Sequence, residues 1–267
     1  MADASIHNLK LTAYSLKLTA YNSQLTTHSL QLTAKTGVLD NPLQQNKTMT
    51  EKDSVIIYSG GLDSTTLLYE QCERIALALT FDYGSYHAAR EIACARHHCA
   101  LLGVEHVVID LAFMKQHFTS SLLSGGADIP SGSYDDANMH STVVPFRNGI
   151  MLSVACGLAE SRGLKRVLIA NHGGDHAIYP DCRPQFVSAM DAAMRAGTYV
   201  GVQLVAPYTD ISKADIVRRG AQLGVDYGHT YSCYRGGEHH CGTCGTCTER
   251  KEAFSEAGIP DPTIYEN

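Results

Sequence analysis

Short apolar runs alternate with segments of helical spacing along most of this chain of 267 residues. The apolar runs are aliphatic or β-branched and end at glycine or polar residues, which is typical of buried strands. They predict five strands: 54–58, 75–81, 106–111, 167–170 and 202–206. The helical spacing predicts four helices: 88–102, 148–162, 184–196 and 212–223. Asp63 and Ser64 are expected to cap a further helix after the first strand, and Ser212 to cap the helix that it begins.

Strands that alternate with helices indicate βαβ units and a mostly parallel sheet. The predicted fold class is therefore α/β, with a doubly wound, mostly parallel sheet of five strands. Ligands bind beyond the carboxyl ends of the strands in such sheets. This expectation places three segments on one rim of the sheet: 59–64, 82–83 and 171–175. A polar stretch at 120–141 is predicted to be a long loop.

The first fifty residues follow a different pattern, with a seven-residue repeat over 7–34. The repeat has few leucines, many threonines and no paired charges, which argues against a coiled coil. A DNA heptamer that is read in triplets also repeats every seven residues. The segment is therefore either a translated tandem DNA repeat, with Met49 as a candidate start, or a real tail. Both interpretations predict no fixed structure over 1–52.

The composition is that of a chain with a sizeable core, since 44% of its residues are hydrophobic. No apolar run reaches the ~18 residues of a transmembrane helix, and no signal peptide is recognisable. A soluble, cytoplasmic protein without membrane contact is expected. The net charge of −6 argues against direct nucleic-acid binding. The nine cysteines indicate metal binding, because four of them lie within fifteen residues.

The segment 59–65, which reads S-G-G-L-D-S-T, joins the first strand to the first helix. Two glycines allow a tight turn and a close approach to an anion, and the helix N-terminus offers free N–H groups. The segment is neither a Walker A loop nor a G-x-G-x-x-G motif. It resembles the PP-loop of ATP pyrophosphatases, which grips the pyrophosphate that leaves ATP. This resemblance makes Asp63 the first candidate for holding Mg²⁺. The alternative is an ordinary glycine-rich turn.

The cysteine cluster has the spacing C-x7-C-x2-C-x2-C and consists of Cys233, Cys241, Cys244 and Cys247. Four thiolates at this spacing suit a structural tetrahedral zinc site. An iron–sulfur cluster is the alternative, because two C-x2-C steps suit it as well. The cysteines on predicted helices are expected to be core residues. Cys182 is either a packed residue or a catalytic thiol.

Further motifs occur in order between the phosphate loop and the cysteines: 81–84 (FDYG), 144–148 (VPFRN) and 179–183 (YPDCR). Together they resemble the 7-cyano-7-deazaguanine synthase family, known as QueC, over about 54–253. Members of this family convert 7-carboxy-7-deazaguanine to the nitrile preQ0 with ATP and ammonia, in the purine metabolism that leads to queuosine. The resemblance implies a homodimer with one zinc ion per subunit, held by the four cysteines.

Three regions are predicted: a repetitive extension at 1–52 that has no counterpart in the family pattern, an ATP-binding and substrate domain at 53–228, and a zinc-binding segment at 229–267. The nucleotide segment of the family matches the run Tyr58, Ser59, Gly60, Gly61, Leu62, Asp63, Ser64, Thr65, Thr66, Leu67 and Leu68. The chain departs from the family pattern at 176–178 and at Phe146, where many members have glycine. These departures leave the details of substrate recognition open.

Nitrile formation requires the loss of both carboxyl oxygens, and the resemblance suggests two successive adenylations for this purpose. The catalytic candidates are Asp63, Arg147, Asp175, Arg183 and Lys213. Arg147, Arg183 and Lys213 are candidates to neutralise phosphates or the substrate carboxylate, with surface ion pairs as the alternative. Asp175 and Asp181 are candidates to receive N–H donors of the base, and Asp181 is alternatively a cap for the next helix.

Two other functions fit parts of the sequence. Another PP-loop adenylating enzyme, such as a tRNA sulfurtransferase or an amide-forming ligase, would predict a persulfide-forming cysteine near the nucleotide and an RNA-binding module. A zinc-stabilised nucleic-acid-binding module would need a basic face near the cysteines. That region instead mixes both signs of charge, with Arg235 and Arg250 near Glu238 and Glu249.

Overall fold

The structure, a computed structural model, describes residues 51–132 and 137–266. Both interpretations of the repetitive extension lie outside these residues. The described residues belong to one compact unit. The division of this unit at residue 228 stays a prediction.

All strands of the described residues belong to one sheet, and every neighbouring pair is parallel. The strands are β1 (Ser54–Ile57), β2 (Ile75–Asp82), β3 (Glu105–Asp110), β4 (Arg166–Leu168) and β5 (Gln203–Val205). Their spatial order is β3-β2-β1-β4-β5, so the chain first builds outward on one side of β1 and then returns to build on the other. This reversal at β1 is the doubly wound arrangement, which confirms the predicted fold class.

Helices flank the sheet and bury its apolar side chains. The helices in the described part of the chain are α1 (Leu62–Glu70), α2 (Ala88–Leu102), α3 (Phe113–His117), α4 (Arg147–Ser161), α5 (Pro184–Gly197), α6 (Lys213–Leu223) and α7 (Gly245–Ala257). Short 3-10 turns add Ala137–Thr142, Gly173–Ala177, Pro180–Cys182 and Tyr227–His229. Helix α1 packs on α6, and α6 packs on α7, so the helix after the first strand is linked to the helix that carries the last cysteine.

The predicted boundaries are close where local signals are strong. Helix α2 has the predicted bounds and ends at Gly103 in the left-handed conformation. Ser212 caps α6 as predicted, because its Oγ accepts from the backbone N–H of Asp215 at 3.1 Å. The predicted cap of α1 is wrong: the helix begins at Leu62 after Gly61, and no side chain caps it. Asp63 and Ser64 therefore lie inside the first turn.

One helical stretch of the described residues, Met139–Ser161, is long and apolar enough to cross a membrane by length and composition. Half of it is buried inside the protein. Its α4 portion packs against β1 and β4 through residues such as Leu152 and Ala155, which are 1% and 0% exposed. These contacts are those of a core helix.

Candidate active site

A cavity of about 1120 Å³, including its open mouth, lies beyond the carboxyl ends of β1, β2 and β4. The segment that follows β1 forms one wall, which we name the phosphate-loop wall (Ser59–Ser64). Tyrosines and an arginine from distant parts of the chain form the other, which we name the tyrosine wall (Tyr83, Arg147, Tyr179 and Tyr234). The cavity therefore occupies the rim that the strand order favours for ligands.

The phosphate-loop wall leaves the N-terminus of α1 open to the cavity. The Ser59 Oγ accepts from the N–H of Gly61 at 3.1 Å and shares a hydrogen bond of 3.0 Å with Ser64. Gly60 has a φ of 81°, and a Cβ there would overlap the carbonyl oxygen of Glu91 on α2. The uncapped helix end and two hydroxyl groups give this wall the donors that an anion needs.

The predicted nucleotide segment divides into a lining part and a supporting part. Six of its residues line the cavity: Tyr58, Ser59, Gly61, Leu62, Asp63 and Ser64. Thr65 and Thr66 lie behind them, where their hydroxyls bond to Tyr58 and Tyr227. Leu67 and Leu68 are 0% exposed and belong to the core. The structure therefore places the last four residues of the predicted segment outside the cavity.

Asp63 and Lys213 meet in the cavity together with Glu249 from α7. The Lys213 Nζ lies 3.3 Å from Asp63 Oδ2 and 2.6 Å from Glu249 Oε2. Burial alone would lower the pKa of Lys213, but the carboxylates of Asp63, Glu249 and Asp175 raise it well above its usual value. Lys213 is therefore a buried cation of the cavity, rather than half of a surface ion pair.

Asp63 also offers an oxygen suited to a cation. Its Oδ1 is buried and has no hydrogen-bond partner among the described residues. One ammonium group faces two carboxylates in this cluster, which leaves an excess of negative charge beside an anion-binding loop. This donor fits Mg²⁺, which binds proteins through one or two carboxylates and keeps its other positions for phosphates and water.

On the tyrosine wall, Arg147 forms no ion pair within 4 Å with a carboxylate of the described residues. Its Nη1 donates to the Tyr83 hydroxyl at 3.1 Å, and its guanidinium lies 5.5 Å from the centre of that ring. The hydroxyls of Tyr179 and Tyr234, which are 55 positions apart in the sequence, share a hydrogen bond of 2.9 Å. An arginine that is held by tyrosines keeps its charge available for an anionic ligand.

The other predicted recognition residues have different positions. Asp175 lines the cavity, and its Oδ2 accepts from the N–H of His172 at 3.0 Å. Asp181 caps a helix, but not the one that follows it: its Oδ2 accepts from the N–H of Asn148 in α4 at 2.8 Å. Arg183 is exposed and donates to the carbonyl of His176, so the structure does not bring it to the cavity.

Cys182 lines the cavity but has the surroundings of a packed residue. The thiol is 4% exposed, and the amide of Asn148 donates to its sulfur at 3.2 Å. Burial raises the pKa of Cys182 far above its usual value, so the thiol stays protonated. A protonated thiol is a poor nucleophile. The packed interpretation of Cys182 fits these surroundings better than the catalytic one.

The four predicted cysteines form a second centre. Each of them is at most 7% exposed, and their ligand atoms all lie within 4.8 Å of one another. Backbone N–H groups of Cys241 and Cys244 donate to neighbouring sulfurs at 3.3 Å. This four-cysteine centre could hold one metal ion and leaves no open position for a substrate.

Another metal-binding pattern, His97 with Asp226 and His229, lies near the surface. The two imidazole rings stack at 4.1 Å with an angle of 11° between their planes. Lone pairs of stacked rings point in parallel directions, and they do not converge on one ion in this arrangement. The cluster is therefore a weaker candidate than the four cysteines.

Sequence reasoning missed four side chains of the cavity region: His87, Glu91, Tyr234 and Glu249. From the sequence, Glu249 was interpreted as one of several surface charges of both signs. In the structure, burial raises the pKa of its carboxyl against the lowering effect of Lys213. Its position two residues after Cys247 was the available signal, because that spacing fixes its place relative to the cysteine centre. His87 and Glu91 show only the spacing of one helical turn, which is too common to identify a site.

The chain was compared with known proteins. The family model described as "Queuosine biosynthesis protein QueC" matches residues 53–258. A 7-cyano-7-deazaguanine synthase of Porphyromonas gingivalis is 65% identical over 81% of this chain and 98% of its own length. The synthase of Methanoregula boonei is 48% identical over 80% of this chain and 99% of its own length. The synthase of Caldicellulosiruptor bescii is 45% identical over 80% and 97%.

Among solved structures, the NMN synthetase of Francisella tularensis is similar over 78% of each chain, with 13% identity and a TM-score of 0.43. A likeness this distant adds nothing to the assignment. The family match over most of the chain, and the identity to relatives over nearly their whole length, show that this chain belongs to the QueC family of queuosine biosynthesis proteins.

Proposed function

We propose that this chain converts 7-carboxy-7-deazaguanine and ammonia to 7-cyano-7-deazaguanine at the expense of ATP. The relation to curated synthases carries this proposal, because the Porphyromonas relative is 65% identical over 98% of its length. The cavity supports it, since a wall of anion donors faces a wall of tyrosines and an arginine. ATP and a flat carboxylated base are the two ligands that such walls suit.

The first half of the proposed reaction makes an amide. The substrate carboxylate attacks the α-phosphorus of ATP, and pyrophosphate leaves into the phosphate-loop wall. The N–H groups at the start of α1 and the hydroxyls of Ser59 and Ser64 bind the charge that develops there. Lys213 neutralises a phosphate oxygen, and Mg²⁺ held by Asp63 would supply further neutralisation. Ammonia then displaces AMP.

The second half removes the remaining oxygen. The amide oxygen is adenylated in turn, and the departure of AMP leaves the nitrile. Arg147 is proposed to bind an oxygen of the reacting carboxyl group and so to orient its carbon, because Arg147 lines the cavity from the tyrosine wall. Asn171 is proposed to accept from the base, since its Oδ1 is buried without a partner among the described residues and the residue lines the cavity. Catalysis would then rest on positioning and charge stabilisation.

We also propose that the four-cysteine centre holds zinc with a structural role. The centre is closed and buried, which is typical of structural zinc sites. Elemental analysis of the purified protein and its visible spectrum would distinguish zinc from an iron–sulfur cluster, which absorbs in the visible range. The homodimer, the cytoplasmic location and the absence of nucleic-acid binding stay predictions.

The function is tested by mass spectrometry of a reaction with 7-carboxy-7-deazaguanine, ATP, magnesium and ammonium. Nitrile with two AMP per product is the expected result. Accumulation of amide alone would indicate a ligase that stops halfway. A metal-loaded, folded protein that binds ATP without turnover would overturn the substrate assignment and favour another PP-loop adenylating enzyme.

A further inference from the structure

Glu91 lies where the two walls of the cavity meet. It belongs to the first turn of α2, and its side chain is 18% exposed toward the cavity. The backbone of this turn packs directly behind the phosphate loop, because a Cβ on Gly60 would overlap the Glu91 carbonyl oxygen and lie 2.9 Å from the N of Ala95. The turn that carries the Glu91 side chain is therefore fixed directly behind the phosphate loop, and Glu91 lines the same cavity as this loop.

The carboxyl group of Glu91 has few partners of its own. Its Oε2 lies 3.8 Å from the Nε2 of His87, and no hydrogen-bond donor of the described residues reaches it. Most buried carboxylates in proteins are fully hydrogen-bonded. A carboxyl group that lines a cavity without such partners is available to a ligand.

The neighbouring histidine is oriented to accept a proton rather than to donate one. The His87 Nδ1 lies 3.3 Å from the carbonyl oxygen of Tyr234, which can only accept, so Nδ1 carries the hydrogen. Its Nε2 then presents a lone pair to the Tyr83 hydroxyl, at 3.4 Å, and to Glu91. A proton on Glu91 would therefore face an acceptor.

The charges around Glu91 fit this arrangement. Burial raises the pKa of Glu91 to about 8, against the lowering effect of the Arg147 guanidinium on α4. Burial also lowers the pKa of His87 to about 4, so this ring stays neutral. The other titratable groups near the carboxyl are the Tyr83 hydroxyl, at the end of β2, and the Cys94 thiol on α2. Glu91 thus exchanges its proton near neutral pH.

We propose that Glu91 is the base that accepts the protons which the attacking nitrogen loses. This inference rests on the proposed function. In amide formation, the C–N bond forms, the C–O bond to AMP breaks with its electron pair on the AMP oxygen, and one N–H proton passes to the Glu91 carboxylate. In nitrile formation, the C–O bond to AMP breaks with its electron pair on oxygen, the C–N bond becomes triple, and the nitrogen loses both of its protons, each of which takes the same route. Each proton is released to water before the next step.

The test uses Glu91→Gln in the metal-loaded full chain, with Glu252→Gln on α7 as a matched control, because Glu252 is exposed and outside the cavity. Exchange of labelled pyrophosphate into ATP, with the acid but without ammonia, measures adenylation alone. We expect this exchange to stay within about threefold of wild type. Amide formation should fall ~100-fold, which is a common loss for a missing general base.

Two further readouts separate proton transfer from a structural role. At a constant concentration of unprotonated ammonia, set by adjusting total ammonium at each pH, the rate of amide formation by wild type should rise with pH through about 8 and then level off, and this rise should disappear in Glu91→Gln. Hydroxylamine, which is unprotonated at neutral pH, should restore much of the lost rate by trapping the adenylate as a hydroxamate. Equal losses of exchange and amide formation would overturn the proposal, as would amide formation within twofold of wild type. Absence of exchange in wild type would instead overturn the proposed substrate.

Discussion

The cavity and the four-cysteine centre are built in opposite ways, although one helix joins them. The cysteines face one another, are buried and keep no position open. The cavity is lined by polar groups that lack protein partners, including the Asp63 Oδ1 without a hydrogen bond and the Glu91 carboxyl without a donor in the described part of the chain. Satisfied groups stabilise a fold, and unsatisfied groups are available for a ligand. The first centre therefore fits a structural role and the second fits chemistry.

Helix α7 connects the four-cysteine centre to the cavity, because it carries side chains that belong to each. It begins just after Cys244 and carries Cys247, followed by Glu249, which is bound to Lys213. The next residue, Arg250, is 0% exposed and donates to Thr230 at 2.9 Å and to the carbonyl of Tyr227 at 3.0 Å. A closed metal site at the start of this helix would thus fix the register of side chains that reach the cavity.

The largest expected effect comes from removing the metal. Cys244→Ser, or a strong chelator, should cost the C-terminal segment on the order of 10 kcal/mol of folding free energy, because structural metal sites fold with their ion. Thermal unfolding with and without chelator would measure this effect. Cys72→Ser is the control, since Cys72 is half-buried and outside the cluster. An unchanged midpoint after complete metal loss would show that the cysteines are not structural.

The second-largest expected effect is a loss of catalytic rate with little change in stability. Asp63→Asn should lower the rate of pyrophosphate exchange by about 100-fold, since it removes a charge from the site that faces the phosphates. Its melting temperature should fall by only a few degrees, because Glu249 still pairs with Lys213 at 2.6 Å when the weaker contact of Asp63 Oδ2 at 3.3 Å loses its charge, and Asp63 Oδ1 supports no hydrogen bond in the described residues. The exposed Asp210→Asn provides the control. A large fall in melting temperature would contradict the division between the two centres.

A smaller effect should follow from cutting the link between the centres. Glu249→Gln weakens the contact to Lys213 and should lower kcat by about tenfold, while the metal content stays at one ion per chain. Steady-state kinetics and elemental analysis on the same sample would measure both quantities. Glu252→Gln, three residues further along α7, should change neither. Loss of metal in Glu249→Gln would mean that the cavity stabilises the cysteines and not the reverse.

The smallest effect concerns strain at the cavity rim. Phe146 has a φ of 53° and is the one residue other than glycine, in the described part of the chain, with a positive φ. Phe146→Gly should be about 1 kcal/mol more stable than Phe146→Ala, because both lose the same ring and only glycine adopts this conformation without cost. Urea unfolding of the two variants would measure the difference. Equal stabilities would show that the rim is unstrained.

The sequence predicted the parts of the molecule whose signals are contiguous. The strands, the bounds of α2, the phosphate loop and the cysteine spacing each lie within one short segment. Glycine in many family members at the position of Phe146 was a further local signal, and the positive φ now explains it. These features depend on backbone conformation or on spacing, which a sequence displays directly.

The missed features depend on packing between distant segments. Helix α7 was not among the predicted helices, although Glu, Ala and Lys follow the cysteine and glycine that open it. From its motif, Arg183 was predicted to lie near the substrate. In the structure it is exposed and donates to the carbonyl of His176. Glu91 and Tyr234 meet the cavity only because α2 packs on β2 and β3 and the cysteine segment packs against α2 at Cys94. No local pattern contains that information.

The order of the strands along the chain also determines when each strand finds its partner during synthesis. Strand β1 is the centre of the sheet, yet its partner β4 follows about 110 residues later, as the pairing of Ser54 with Arg166 shows. At ~5–20 residues per second, the ribosome needs roughly 5–20 seconds to deliver that partner. During this time one edge of an apolar strand has no neighbour. The nascent chain is therefore a candidate client for chaperones, and slower translation would prolong its exposure to aggregation.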